Sequence, residues 1–399
     1  MTGYFSTTKL LNRPFDDCLG FDNSGIIIDD FKHKINDPTL NIQNSKFIGN
    51  PEDKFGTMLF LPKNHERKGE GGLRTKGYFK HSYKYIKSDC KNNNEIIPHE
   101  NKTETGGWYI IDSNDKPLKF APGEIQQNIN DYISTTKGEK DNSKTTFQEN
   151  IEYLPLISVI TVVYNGAKYL EESILSVLNQ SYPNIEYIII DGGSTDDTLD
   201  IIKKYENYID YWVSEKDEGI YDAMNKSLSI ADGQWIFFLG SDDKCFNVIH
   251  QVIKHHSLKL DALYGNVYMP TKNIIYDGKF NKYKLMLKNI CHQAIFYNST
   301  IFKNRRFDIK YNVFADYELN LSFFSKKKWL YIPNNICIYN DFEGFSANNK
   351  DLIFDTDKGK IIKRSFGNLY YLIFISRKII VQILDFLKLK NHIKKILNK

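Results

Sequence analysis

A chain of 399 residues is long enough for two domains, or for one large domain with appendages. Its formal net charge of +4 is small, which argues against the whole chain being a nucleic-acid binder. The five cysteines are odd in number and form no C-x-x-C pair, so we predict free thiols in a reducing compartment rather than a disulfide framework or a zinc site. The N-terminus, M-T-G-Y-F-S-T-T-K, lacks the apolar core typical of a signal peptide, and we expect a cytoplasmic protein.

Residues 1–150 predict an irregular N-terminal extension of unknown role, because they are polar, rich in Asn and Lys, and interrupted by Gly and Pro. Two short runs within it predict a β-hairpin: residues 108–111 and 118–120. Two other stretches predict loop or linker: residues 88–105 and 141–150. The segment G-E-G-G-L-R-T-K-G at residues 69–77 carries Arg74 and Lys76, which would either hold a phosphate or the acceptor, or lie in a solvated turn.

Short apolar runs rich in β-branched residues predict strands that are buried on both faces. They are residues 157–163, 185–190 and 235–239, and each is followed by a polar turn. Stretches with helical spacing lie between them, so the chain predicts an α/β fold with a mostly parallel sheet flanked by helices. Ligands of such sheets bind outside the carboxyl ends of the strands, where these polar turns lie.

The polar turns carry motifs that together resemble those of the family 2 glycosyltransferases, which have the Rossmann-like GT-A fold. The motifs are Tyr164-Asn165, D-G-G-S-T-D-D-T, S-E-K-D-E-G-I-Y-D-A-M-N-K, S-D-D, C-H-Q-A-I-F and A-D-Y-E-L. They occur in order between Pro155 and Ser346, which is about half of the chain. The resemblance implies a GT-A glycosyltransferase domain at residues 151–350, between the extension at 1–150 and a C-terminal tail at 351–399.

The resemblance also implies which residues contact the donor and its nucleotide. These substrate-binding candidates are Tyr164, Asn165, Asp191, Asp217, Asn225, Lys226, Asp242 and His292. Many relatives carry two acids at the turn after Asp191, but Gly192 takes the second place here, so the base contact is implied only in part. Structural functions are the alternatives for several of these residues: rim packing for Tyr164, a solvated helix face for Asn225 and Lys226, and a structural hydrogen-bond donor for His292.

Ser241-Asp242-Asp243 is this chain's version of the family's DxD motif and predicts a divalent metal site. A sugar donor activated by a diphosphate has a doubly charged leaving group, which Mg²⁺ or Mn²⁺ would neutralise through carboxylate, phosphate and water oxygens. We expect Asp243 to bind the metal, and Asp242 to bind the ribose or a metal-bound water. The alternative is an acidic turn that merely ends a strand.

The segment A-D-Y-E-L at residues 315–319 predicts the start of a helix on which Asp316, Leu319 and Phe323 share one face. Asp316 would then face a cleft, and we predict that it is the base that takes the proton of the acceptor hydroxyl. An ordinary N-cap is the alternative for Asp316, and Glu318 is the nearest rival base.

The tail predicts a basic amphipathic helix, since residues 363–399 contain nine Lys or Arg and one acid. Arg377 and Lys378 would lie near the middle of a membrane-spanning helix, where each opposes insertion by about 2.5–3.5 kcal/mol. A helix lying on an anionic membrane surface is therefore favoured. A helix packed on the catalytic domain is the alternative.

These features predict an inverting, metal-dependent glycosyltransferase of the hexosyltransferase type. It would move a sugar from a nucleotide-diphosphate-sugar donor to a hydroxyl of a glycan or lipid-linked acceptor. The resemblance, rather than the residue chemistry, implies a setting in bacterial surface polysaccharide synthesis. It would work in the cytoplasm or peripherally on the inner face of the cell membrane, with no nucleic-acid partner. A nucleotide-sugar-binding assembly partner without turnover is the alternative. A dinucleotide-dependent oxidoreductase is disfavoured, because no G-x-G-x-x-G follows the first predicted strand.

Overall fold

Among the residues that the structure describes, a ten-stranded sheet and a four-stranded sheet form the framework of the protein. The computed structural model describes residues 47–48, 58–86, 106–112, 115–138, 152–255, 259–342 and 349–397. The predicted loops at residues 88–105 and 141–150 lie outside these ranges. In chain order the strands are β1 (Gly69–Gly71), β2 (Ser82–Ile86), β3 (Gly107–Ile111), β4 (Pro117–Phe120), β5 (Tyr153–Leu154), β6 (Ile157–Val163), β7 (Ile185–Asp191), β8 (Tyr211–Ser214), β9 (Trp235–Phe238), β10 (Lys244–Cys245), β11 (Ala262–Met269), β12 (Ile274–Tyr276), β13 (Ile295–Asn298) and β14 (Trp329–Ile338).

Helices cover the large sheet and connect its strands. In the described ranges the α-helices are α1 (Gly123–Gly138), α2 (Ala167–Leu178), α3 (Thr198–Lys204), α4 (Ile220–Ile230), α5 (Ile249–Ile253), α6 (Lys282–Leu287), α7 (Ala315–Phe323), α8 (Leu352–Phe366) and α9 (Asn368–Leu397). Short 3₁₀ helices span Leu73–Lys76, His292–Ala294 and Ser299–Phe302.

The order of strands in the large sheet is β1-β8-β7-β6-β9-β13-β11-β14-β10, with β12 paired to β11. The central strands β8, β7, β6 and β9 are parallel, which confirms the predicted α/β class. All seven residues of β6 are buried, as expected for a mostly apolar strand between two layers of helices. The chain runs from β6 outward to β8 and then returns to β9 on the other side of β6. This reversal opens a crevice at the carboxyl ends of β6 and β9.

The smaller sheet, in the order β4-β3-β2-β5, links the N-terminal segment to the central sheet. β3 and β4 pair antiparallel, which confirms the predicted hairpin. Tyr83 of β2 and Trp108 of β3 pack in the same buried cluster as Ile157 and Val159 of β6. The N-terminal segment and the central sheet therefore share one hydrophobic core.

Two buried ion pairs join the N-terminal segment to the large sheet. The guanidinium of Arg74 pairs with the carboxylate of Glu186 on β7 and donates to the carbonyl oxygens of Leu59 and Ile230 at 3.0 and 2.8 Å. The Lys80 ammonium lies 2.8 Å from the carboxylate of Asp210. Arg74 is only 3% exposed, so both predictions for its side chain, contact with a phosphate or the acceptor and a solvated turn, are wrong.

The cysteines in the described part of the chain are Cys245, Cys291 and Cys337, and all three are free thiols, as predicted. Burial raises the pKa of each thiol. Cys18 and Cys90 lie outside the described residues.

The C-terminal helices pack on the rest of the large-sheet core over part of their length. Phe354 of α8 is buried, and Tyr370, Ile373 and Phe374 at the start of α9 pack against the same apolar cluster. Farther along α9 the apolar side chains are exposed: Ile379, Ile380, Val381, Ile383, Leu384 and Phe386. No helix among the described residues combines the length and the apolar content needed to cross a bilayer. The packed-helix alternative thus describes the start of α9, and membrane binding by the rest of α9 stays a prediction.

Candidate active site

A cleft of about 680 Å³ lies at the carboxyl ends of β6 and β9. Its walls come from the turns after these two strands, from α4, from the segment before β13, and from the start of α7. Six of the predicted site residues line it: Tyr164, Asn165, Asp217, Asp242, His292 and Asp316. Four others do not: Asp191, Asn225, Lys226 and Asp243. The volume is in the range of small-molecule sites, which commonly enclose about 300–1,000 Å³.

The turn after β6 presents an aromatic ring and an amide to the cleft. Tyr164 is 63% exposed, so its ring is available for stacking. Asn165 has a left-handed backbone, with φ of 49°, and its side-chain oxygen accepts a hydrogen bond from Thr195 N at 2.8 Å. Its own N–H donates to Ser194 Oγ at 2.7 Å. Asn165 therefore joins the turn after β6 to the turn after β7.

Asp191 at the end of β7 accepts hydrogen bonds within the turn that follows β7. It is fully buried, and its carboxylate accepts hydrogen bonds from Ser194 N at 3.1 Å and Ser214 Oγ at 2.5 Å, and a further one from the Ser194 hydroxyl. Contact of Asp191 with a nucleotide stays a prediction.

Asp217 lies beside Gly192, the position at which many relatives carry a second acid after Asp191. A Cβ atom added at Gly192 would be 2.5 Å from Asp217 Oδ2, so the glycine leaves room for this carboxylate. Burial raises the pKa of Asp217, and Gly219 N donates to its Oδ1 at 2.9 Å. The cleft thus presents a carboxylate beside Gly192 that comes from a different turn.

Residues of the N-terminal segment form hydrogen bonds to the turns after β7 and β8. Arg67 Nε donates to Glu215 Oε2 at 2.9 Å, and Lys68 Nζ donates to the carbonyl oxygens of Gly193 and Ser194 at 2.7 and 2.9 Å. Lys226 Nζ lies 3.3 Å from the other oxygen of Glu215. The loops that would surround a nucleotide are therefore held from both sides.

Asn225 and Lys226 of α4 make contacts inside the protein. The Asn225 amide bonds both the N–H and the carbonyl oxygen of Phe307, each at 2.9 Å. Lys226 Nζ also donates to the carbonyl oxygen of Lys216 at 2.9 Å. These contacts give both residues a structural function, and a nucleotide contact for either stays a prediction.

The acidic turn after β9 has one exposed and one buried carboxylate. Asp242 lines the cleft, whereas Asp243 is only 1% exposed. The Asp243 carboxylate accepts hydrogen bonds from Gln293 Nε2 and from the backbone N–H of Asn340, both at 2.8 Å. Burial, followed by the neighbouring charge of Asp242, raises the pKa of Asp243 to about 7. A buried carboxylate beside another carboxylate is an environment that a bound cation would stabilise.

The two carboxylates suit a hard divalent cation only if other ligands complete its shell. Among the residues that the structure describes, no group of three or more His, Cys, Asp or Glu side chains could hold a metal ion. Mg²⁺ commonly takes only one or two protein carboxylates and fills its octahedron with phosphate oxygens and water. Asp242 lines the cleft and fits that pattern. Asp243 is buried beside it with both carboxylate oxygens hydrogen-bonded, so its place among the metal ligands stays a prediction.

Asp316 lies near the start of α7 and is 5% exposed, facing the cleft as predicted from its spacing. The N-cap of α7 is Phe314, so the N-cap alternative for Asp316 is wrong. Its Oδ1 accepts from Tyr221 Oη at 2.8 Å and its Oδ2 from Asn289 Nδ2 at 2.6 Å. His292 Nδ1 lies 3.5 Å from Oδ2.

Glu318, the rival base, is buried on another side of α7. Its carboxylate pairs with Arg305 and with Arg364, the latter at 2.7 Å, and accepts from Ser322 Oγ at 2.9 Å. Glu318 does not line the cleft. Its contacts account for its burial without a catalytic function.

Residues around the carboxylates were not predicted from the sequence: Tyr221 and Asn289 beside Asp316, and Gln293 beside Asp243. Helical spacing marks Ile220 and Met224 as core but says nothing of the Tyr221 hydroxyl. Gln293 belongs to the C-H-Q-A-I-F motif, so that motif was the available signal for it.

A family model described as glycosyl transferase family 2 matches residues 158–324. A PGL/p-HBAD biosynthesis glycosyltransferase of Mycobacterium bovis is 34% identical over 206 residues, which cover 48% of this chain and 79% of that protein. The putative teichuronic acid biosynthesis glycosyltransferase TuaG of Bacillus subtilis is 46% identical over 93 residues, covering 23% of this chain and 37% of TuaG. S. aureus TarS 1-349 in complex with UDP-GlcNAc aligns with a TM-score of 0.43 and 18% identity, over 53% of this chain and 71% of that one.

The central parallel sheet with a cleft at its carboxyl edge defines an α/β protein of the GT-A type. The family match and the mycobacterial relative show that the chain belongs to glycosyl transferase family 2, as the sequence motifs predicted. The protein is therefore a glycosyltransferase.

Proposed function

We propose that the protein transfers a hexosyl unit, with inversion, from a nucleotide-diphosphate sugar to a hydroxyl of a glycan or lipid-linked acceptor. The observation that carries the proposal is that one cleft holds both Asp242 of the metal motif and Asp316, a carboxylate suited to be a base. The biological setting that we propose is bacterial surface polysaccharide synthesis. The name of TuaG, a putative teichuronic acid biosynthesis enzyme, supports this setting.

In the proposed reaction the acceptor oxygen forms a bond to the anomeric carbon of the donor sugar. The bond from that carbon to the diphosphate oxygen breaks, and the nucleoside diphosphate leaves with the electron pair. Asp316 takes the proton that the acceptor hydroxyl loses. The acceptor oxygen attacks from the side opposite the leaving diphosphate, so this single displacement inverts the configuration at the anomeric carbon. Tyr164 would stack near the base, and Asn165 and Asp217 would contact the nucleotide.

Asp242 and Asp243 would hold Mg²⁺ or Mn²⁺. The cation, when bound, neutralises the charge that develops on the diphosphate leaving group. The buried hydrogen bonds from Gln293 and Asn340 hold the Asp243 carboxylate in place. His292, close to Asp316, would contact the donor or the acceptor.

A panel of nucleotide sugars, incubated with the protein and Mn²⁺ in the presence and absence of simple glycan acceptors, tests the proposal. We expect one donor to be consumed, with release of its nucleoside diphosphate. Donors that bind, by thermal shift, but are not consumed would instead favour the nucleotide-sugar-binding assembly partner without turnover.

We expect Asp243→Ala to weaken Mn²⁺ binding in the presence of the nucleoside diphosphate by at least tenfold, because one of two protein ligands is lost. Wild-type affinity should also be lower at pH 6 than at pH 8, since a proton competes with the metal for Asp243, whose pKa is about 7. Calorimetric titration of Mn²⁺ measures both effects. Asp200→Ala, a change of an exposed acid in α3, is the control. Equal affinities of wild type and Asp243→Ala would remove Asp243 from the metal site.

The exposed apolar positions of α9 support a second part of the proposal, peripheral binding to an anionic membrane. Removing residues 376–399 spares Tyr370, Ile373 and Phe374, which pack on the core, but removes the exposed apolar side chains from Ile379 to Phe386 and the Lys and Arg residues of the tail from Arg377 onward. We expect the truncated protein to lose binding to anionic vesicles, because each Lys or Arg near such a surface contributes about 1 kcal/mol. Turnover on a soluble acceptor should be unchanged. Co-sedimentation with anionic vesicles measures the loss, neutral vesicles are the control, and undiminished binding would contradict the proposal.

A further inference from the structure

Both oxygens of the Asp316 carboxylate are held by neutral donors from other parts of the chain. Tyr221 of α4 lies 2.8 Å from Oδ1, and Asn289, in the segment before β13, lies 2.6 Å from Oδ2. Tyr221 is 5% exposed, and both residues line the cleft. Burial raises the pKa of Tyr221, so this phenol stays neutral and acts as a hydrogen-bonding group rather than as a second base.

The hydroxyl of Tyr221 has one hydrogen but two acceptors within reach. Its oxygen lies 2.6 Å from the carbonyl oxygen of Val313 and 2.8 Å from Asp316 Oδ1. A phenol donates one hydrogen bond and accepts others. The hydrogen can therefore point to only one of these two acceptors at a time.

We propose that Tyr221 and Asn289 are positioning residues for Asp316, and that the Tyr221 hydroxyl provides a hydrogen-bonding partner for both protonation states of this carboxyl group. The proposal rests on the function proposed above, in which Asp316 is the base. Tyr221 would hold the Asp316 carboxyl group by a hydrogen bond, a contact that involves neither the metal nor the turns around the nucleotide.

The two states use the same three oxygens. While Asp316 is ionised, the Tyr221 hydroxyl donates its hydrogen to Oδ1. The acceptor hydroxyl then gives its proton to Oδ1, and the new O–H group rotates about the C–O bond to donate to Tyr221 Oη, whose own hydrogen turns to the carbonyl oxygen of Val313. Tyr221 keeps its proton throughout, and the one proton that Asp316 gains is the one that the acceptor hydroxyl loses. The protonated carboxyl group therefore keeps a hydrogen-bonding partner, which an apolar neighbour could not provide.

Further contacts fix the side chain of Asn289, the second residue that holds Asp316. Asn320 Nδ2 donates to Asn289 Oδ1 at 2.9 Å, which orients the Asn289 amide so that its N–H group points to Asp316. Tyr276 Oη donates to the backbone oxygen of Asn289 at 2.8 Å. Asn289 thus has little freedom to turn away from the carboxylate.

We expect Tyr221→Phe to lower kcat by about 10- to 100-fold, the usual worth of a hydrogen bond to a charged group. The KM for the donor should stay within about twofold of wild type, because Tyr221 acts through the base. Tyr317→Phe is the matched control, because Tyr317 is the next residue after Asp316, is also buried, and gives its hydroxyl to the backbone oxygen of Leu285 at 2.6 Å. This control should keep the wild-type kcat, since it removes a buried hydroxyl that donates to a backbone carbonyl oxygen rather than to Asp316.

A double-mutant cycle with Asp316→Asn separates positioning from a structural effect. If Tyr221 acts through Asp316, Tyr221→Phe should lower the residual rate of Asp316→Asn by less than about twofold. Losses that multiply in the double variant would overturn the proposal, as would equal kcat values for Tyr221→Phe and Tyr317→Phe. Asn289→Leu, taken through the same cycle, decides the question if Tyr221→Phe does not fold. A wild-type rate in Asp316→Asn alone would instead reject Asp316 as the base, so failure of the two proposals can be distinguished.

Discussion

Replacing Asp316 by Asn is expected to lower kcat for sugar transfer by about 10²–10⁴, the usual contribution of a general base. Asn has nearly the shape of Asp but cannot take a proton at neutral pH. The neighbours Tyr221 and Asn289 hold the side chain from both sides, so the variant should keep its place in the cleft. Because Asp316 would act on the acceptor, the affinity for the donor should change little. Steady-state transfer kinetics and a separate titration of the donor measure the two quantities.

Glu318→Gln is the matched control for that experiment, since Glu318 is on the same helix and is also buried. Its carboxylate pairs with Arg305 and Arg364 outside the cleft, so this variant should lose stability rather than the chemical step. Near-normal turnover in Asp316→Asn, or loss of donor binding in place of rate, would contradict the assignment of Asp316.

Replacing Arg74 by Met is expected to lower the free energy of unfolding by about 3–5 kcal/mol, which is the usual effect of removing one partner of a buried ion pair. Glu186 would be left buried and without its cation, with side chains of the pair only 2–3% exposed. The carbonyl oxygens of Leu59 and Ile230 would lose a donor as well. Urea unfolding followed by circular dichroism measures the change.

Lys76→Met provides the control for Arg74, because the Lys76 side chain is 40% exposed and its pair with Glu206 is 3.7 Å long. Surface pairs of this kind contribute at most about 1 kcal/mol. The double variant Arg74→Met with Glu186→Gln should recover part of the lost stability, since no unpaired charge remains. A loss below about 1 kcal/mol in Arg74→Met would show that the N-terminal segment is not anchored through this pair.

The central sheet could be predicted because the pattern of each strand is local in the sequence. β6 and β7 are short runs rich in Ile and Val with few polar residues, and such runs are typical of strands that are covered on both faces. The inward direction of Asp316 was likewise available from helical spacing, since Leu319 lies one turn later on the same buried face. Patterns with a short period are visible in the sequence.

Contacts between distant residues were not predictable in the same way. Arg74 meets Glu186 across 112 residues, and Tyr221 meets Asp316 across 95. The glycine-rich basic segment at residues 69–77 has a sequence that fits a phosphate-binding loop, a solvated turn or a buried ion pair equally well. Only the position of its partner, Glu186, decides between them. The roles of Asp191 and Asp243 show the same limit, because a strand-end acid has one sequence pattern whether its carboxylate faces a ligand or is held by serines and amides.

We propose that an acceptor hydroxyl attacks the anomeric carbon by direct displacement, with Asp316 as the base. Proton NMR of the newly formed glycosidic bond, recorded on the product of the donor identified in the nucleotide-sugar panel, tests that claim most directly. We predict an anomeric configuration opposite to that of the sugar in the donor. A product that retains the donor's configuration would contradict the claim, because retention requires a mechanism other than a single displacement.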